Sequence, residues 1–166
     1  MRFLTKFFSP LIHHQANADA LLLSELLNRQ DQHALIFAYY FENITLDYSL
    51  ISLKKIDRYL AKVRNYYQHQ QALSAQQKPE YIDEITQVVL RVGAYLGETL
   101  RQQNKDWIWI KSKEQRFIDS EIIKVNVLIL TDHTTQISPI KEVATLISAE
   151  EQTSSLYQYA QKILSD

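Results

Sequence analysis

Arg91-Val92-Gly93-Ala94-Tyr95-Leu96-Gly97-Glu98 contains both glycines of a 166-residue chain. They lie inside a stretch whose apolar residues, Ile82, Ile85, Val89, Val92, Leu96 and Leu100, recur at helical spacing. A glycine in a helix interior costs roughly 1 kcal/mol relative to alanine. A pair at i, i+4 therefore marks a face stripped of side chains, where another backbone or ring comes close. The same spacing pairs helices in membranes, but here Arg91 and Glu98 flank it and argue for a helix in a water-soluble fold. The expectation is that Gly93 and Gly97 are structural, packing on the preceding helix or on a sheet, with a ligand or partner groove as the alternative.

Working outward, Pro79 suits a first helical turn and Glu80, Asp83 and Glu84 suit its positive end, while Arg101 and Lys105 suit the negative end. Three helices are expected upstream: one from Asn17 or Asp19 to Arg29, one from Gln32 to about Glu42, and one opening between Ser49 and Ser52. The third carries Leu53, Ile56, Leu60, Val63 and Tyr67 and fades in the polar stretch 68–77. Downstream the period changes to two. Trp107–Ile110 and Val125–Leu130 read as strands, with a short returning strand at Arg116–Asp119. Ser138-Pro139 opens a helix through Ile147, and a last helix covers Ser154–Leu164. The expected architecture is α+β in a single domain, 1–166: four N-terminal helices, a small mainly antiparallel sheet of two or three strands, and two short C-terminal helices. Residues 1–16 are expected as an N-terminal tail docked on that domain. Both strands are apolar on both faces, so both faces are expected to be covered, by Phe3–Ile12 and the last helix or by a second chain.

Composition removes several function classes. Eighteen basic against nineteen acidic residues leave a formal charge of −1, unlike a dedicated polyanion binder. With no cysteine there is no disulfide, thiolate chemistry or cysteine zinc site. Two glycines cannot build a phosphate-cradling loop. Lys6 and Pro10 break the N-terminal apolar run that a signal peptide needs, and no stretch has the length of a membrane span, so a cytoplasmic protein is expected.

Candidate chemistry is sparse. His13-His14 are adjacent, so on a helix their rings diverge by roughly 100°, and His33, His69 and His133 stand alone; neither metal nor cofactor is expected. Glu98 as acid or base, helped by Tyr95 and Arg91 on the same helical face, is the small-hydrolase alternative. For binding, Trp107, Trp109 and Tyr95 are candidate aromatic anchors. Lys54, Arg58 and Lys62 repeat at i+4 as a basic stripe, with Tyr59 and Tyr66 interleaved, which also admits weak nucleic-acid binding. Residues 19–47 hold five acids, Asp19, Glu25, Asp31, Glu42 and Asp47, against Arg29 alone.

Ser52-Leu53, Ile56-Asp57, Leu60, the Gly93-Ala94-Tyr95-Leu96-Gly97-Glu98 segment, Trp107 and Pro139-Ile140 together resemble a group of uncharacterised bacterial single-domain proteins with a Gly-Ala-Tyr-Leu-Gly-Glu helix. The resemblance spans about residues 46–147 and departs at Ile56, where leucine is more usual. It implies a bacterial origin and supports the fold without an activity. Such small proteins include immunity partners of toxins, and by that analogy the expected function is a non-catalytic, protein-binding one, with a toxin or a second copy of the chain as partner.

Overall fold

The computed structural model describes residues 5–28, 35–73, 78–111, 128–150 and 154–165. Among them are five α-helices, α1 (Thr5–Asn28), α2 (Leu50–Leu73), α3 (Lys78–Gln103), α4 (Pro139–Ser148) and α5 (Leu156–Ser165). Three strands, β1 (Ile108–Lys111), β2 (Leu128–Thr131) and β3 (Gln136–Ile137), form one antiparallel sheet in the order β1-β2-β3. The architecture is mostly helical with a small sheet.

Helix α3 is the axis. Residues Arg91 to Leu100 are all buried, so this part of the helix is enclosed on every side and not on one face alone. Its neighbours are α1, α2, α4 and α5. The two glycines make the enclosure possible. A Cβ on Gly97 would overlap the Trp109 ring and lie 3.2 Å from Pro139, and one on Gly93 would lie 2.6 Å from the Ile140 Cα. The sheet is thus one neighbour of the glycine face, and the start of α4, where the sequence suggested α2, is the other.

Capping explains where the helices start. Ser138 Oγ accepts from the Lys141 amide and Pro139 fills the first turn of α4. Ser49 Oγ accepts from the Ser52 amide at the start of α2, and Ser155 Oγ from the Gln158 amide at the start of α5. The α5 start has a second, remote acceptor: Asp57 of α2 receives the Leu156 amide at 2.7 Å and the Tyr157 amide at 3.3 Å. Burial is the larger influence on this carboxyl and raises its pKa, against the lowering effect of those amides.

The structure corrects the sequence reading in several places. The tail is mainly helical backbone, because α1 begins at Thr5. In place of a helix to Glu42, the described residues hold a 3₁₀ turn, Ala38–Phe41, entered through Phe37 in the left-handed region (φ 55°). A run of Phe and Tyr has weak helix propensity, and a left-handed residue ends any right-handed helix. Three α-helices, not four, therefore precede the sheet among the described residues. Strand β3 was not anticipated. It follows a turn in which Asp132 Oδ1 accepts from the Thr134 and Thr135 amides and from Thr134 Oγ1. The suggested strand Arg116–Asp119 lies outside the described residues, as do the first three residues of Val125–Leu130.

The sheet's two faces differ. Trp109 and its β2 partner Leu130 are fully buried, whereas Ile108, Ile110 and Ile129 are half-buried. Helix α1 runs along the open edge of β1: Asn17 Oδ1 accepts the Trp109 amide at 2.9 Å, and Asp19 pairs with Lys111 at 2.9 Å. One amide of the strand edge is thereby satisfied by a side chain of α1, which lies where another strand would pair. The last helix covers α2 and, to a lesser extent, α3 rather than the second sheet face.

Candidate functional site

The residues of the hydrolase alternative share a helix but not a site. Glu98 is 1% exposed; its Oε1 accepts the indole N–H of Trp109 at 2.7 Å, and Arg101 donates to both its oxygens through Nε and Nη2 at 3.0–3.2 Å. A general acid or base must reach its substrate, and this carboxylate is occupied in holding α3 to β1. Tyr95 is fully buried. Its hydroxyl accepts the Tyr48 amide and bonds Ser52 Oγ, both at 2.7 Å, and its ring stacks on Tyr48 with centroids 4.7 Å apart. Among the described residues Arg91 bonds only Gln87, through Nη2 at 3.3 Å, and its buried Nε and Nη1 have no partner there. No hydrogen bond joins any two of Arg91, Tyr95 and Glu98. A cleft of about 250 Å³, counted to the open solvent, lies elsewhere, between Asp57, Leu60, Arg64, Leu146 and Ser154.

Trp107 and Trp109 are 4% and 0% exposed, so they are core residues and present no surface to a partner. The Trp109 indole fills the notch at Gly97, which is why this ring is not an open patch. Among the described residues no three histidine, aspartate or glutamate side chains gather in a way that could hold a metal ion, and no helix is long and apolar enough to cross a membrane.

The basic stripe lies on the surface. Lys54, Arg58 and Lys62 are exposed on one side of α2, in line with Ile51, Asn65 and His69. The other side, Leu53, Ile56, Leu60 and Val63, is core. Asp57, the acid of α2, is turned aside to cap α5, so the exposed line carries no carboxylate. Lys54 lies over the Tyr157 ring, 4.2 Å from its centroid, a cation–π contact that draws α5 into the same surface. Among the described residues Arg58 and Lys62 make no ion pair. Lys55, beside the stripe, reaches the Thr45 carbonyl at 3.5 Å.

Buried phenols set the alkaline behaviour. Burial raises Tyr95 to about 12 and, together with the charge of Glu142, Tyr159 to about 12; burial raises Tyr59 as well. An acid whose folded pKa is raised contributes stability that is fully present below its unfolded pKa, about 10 for tyrosine, and lost as pH rises through the folded value. Stability is therefore expected to fall between about pH 10 and 12. Absorbance titration should show these phenols ionising late and together with loss of helical signal. Ionisation of all ten tyrosines near pH 10, with the helices intact, would contradict this burial.

No family model, curated relative or solved structure matches the chain.

Proposed function

We propose that this protein is a non-catalytic binding domain that engages another protein through the exposed basic face of α2. The observation that carries the reading is the line Lys54, Arg58 and Lys62, displayed without a carboxylate while the helix's own acid is diverted to α5. Like charges at i, i+4 repel by a few tenths of a kcal/mol, so Arg58 and Lys62 give the isolated fold little, while Lys54 also holds the Tyr157 ring of α5. The line favours an anionic surface brought by a partner. The near-neutral total charge supports an acidic protein face over nucleic acid, because polyanion binders usually carry a global basic excess. The internal engagement of Glu98 and Tyr95 supports binding over catalysis. An immunity-type inhibitor, a cytoplasmic bacterial protein that occludes a toxin, is the concrete form we favour, and the resemblance over residues 46–147 is compatible with it.

Fluorescence anisotropy with a labelled polyglutamate peptide tests the charge logic. The peptide should bind in a salt-sensitive way and lose at least about tenfold in affinity on Arg58→Glu with Lys62→Glu, since a few exposed charge contacts add to that order. Tighter binding of a DNA duplex of equal charge, or an affinity unchanged in the double variant, would overturn the reading.

A further inference from the structure

Four large apolar side chains are exposed among the described residues, Leu21, Leu22, Tyr39 and Ile51, and two of them border the basic line of α2. Ile51 stands in the first turn of α2 and is 68% exposed. With Lys54, Arg58 and Lys62 it completes an i, i+3, i+7, i+11 series, which lies on one helical face. The series runs for about 17 Å along the helix at a rise of about 1.5 Å per residue, with Ile51 at its start.

Tyr39 reaches the other end from outside the helix. It lies in the 3₁₀ turn Ala38–Phe41 and is 55% exposed. Its ring centroid is 5.1 Å from that of Tyr40 and 6.3 Å from that of Phe37. Tyr40 in turn lies 6.2 Å from Tyr59, and Phe37 lies 5.7 Å from Tyr66. Tyr59 and Tyr66 bracket Lys62 at i−3 and i+4 on α2, so the ring cluster stands beside the Lys62 end of the line. Held between two rings, Tyr39 is an ordered anchor that loses little freedom on binding. Glu42 and Asp47 are exposed further along the same connection to α2. Their charge repels a uniformly acidic partner, so contact on this side falls to an apolar group.

We propose that this face receives an acidic helix of a partner protein, with apolar residues about three turns apart and carboxylates between them on the same side. The carboxylates meet Arg58 and Lys62, and the apolar side chains seat on Ile51 and Tyr39. This occupant presupposes the protein-binding reading of α2 and adds the partner's form to it. A helix laid along α2 repeats its i, i+4 residues with the same step of about 6 Å as the line itself, so acids and bases stay in register. The apolar anchors then carry affinity, and the charges fix orientation and choice of partner.

A labelled alanine-based peptide bearing this leucine–glutamate face is the probe. Its control has the same composition with the leucines moved to the opposite face. Fluorescence anisotropy should show the probe binding at least about tenfold more tightly than the control, as expected for two apolar anchors. The probe should also gain helical ellipticity on binding, since a short free helix is marginal in water. Ile51→Ser and Tyr39→Ser should each remove at least about threefold of that preference and leave polyglutamate binding unchanged. Ile51 is the more exposed of the two, so Ile51→Ser should melt within about 2 °C of wild type and keeps the test independent of folding. Equal affinity for probe and control, or a preference untouched in both variants, would overturn the proposal. Polyglutamate binding that persists in either case leaves the charged face of α2 standing, whereas failure of every acidic peptide to bind strikes both.

Discussion

Gly97→Leu is expected to lower stability by about 3 kcal/mol or more and the melting temperature by about 6–12 °C. Even the first added atom overlaps the Trp109 ring. That ring has little room to retreat, because Trp109 is fully buried, its indole N–H is held by Glu98 and its amide by Asn17. The substitution also removes roughly 1 kcal/mol of glycine's helix penalty, so the measured loss understates the steric conflict. Gly97→Ala is expected to lie between wild type and leucine for the same reason. Thermal melting followed by tryptophan emission checks both, with a red shift as the indole is pushed toward water. An unchanged melting curve for Gly97→Leu would mean that the glycine face is open.

Glu98→Ala is expected to cost about 3 kcal/mol. It strands the Trp109 indole N–H in the core and leaves Arg101 without its two-oxygen acceptor. Arg101 is 31% exposed and recovers part of its solvation, so most of the loss is assigned to the indole. Glu98→Gln keeps an acceptor for that N–H and should cost only about 1 kcal/mol, the value of an ordinary hydrogen bond. Denaturant unfolding of the two variants checks the order. Equal stability of Ala and Gln would mean that the carboxylate does not join α3 to β1.

Local grammar carried the reading of the fold only part of the way. Ser138-Pro139 announced α4, the glycine pair announced a close approach, and the apolar periods of α2 and α3 were plain in the sequence. Each of these signals lies within a few residues. Residues 35–42 depart from the helical reading because their shape comes from rings docking on α2, which no propensity records. The hairpin to β3 did have a local signal in Thr131-Asp132-His133-Thr134-Thr135, since Asp and Thr side chains stabilise turns. Of the candidate site, the stripe at 54, 58 and 62 was legible because helical spacing alone puts those residues on one face. Its lack of countercharge was not, because Asp57 finds its role with amides about a hundred residues away. The same holds for Tyr95 and Glu98: spacing placed them on one helix, and tertiary packing sent Tyr95 to Tyr48 and Ser52 and Glu98 to Trp109.

The claim that the α2 stripe works on a partner and not on the fold is tested most directly by Arg58→Glu with Lys62→Glu. Both side chains are exposed and make no ion pair among the described residues, so the double variant should melt within about 2 °C of wild type, as surface changes usually do. Immobilised beside wild type in a nuclease-treated native lysate, it should fail to retain an acidic protein that wild type holds. Retention of the same protein by both would contradict the assignment of α2 as the working surface.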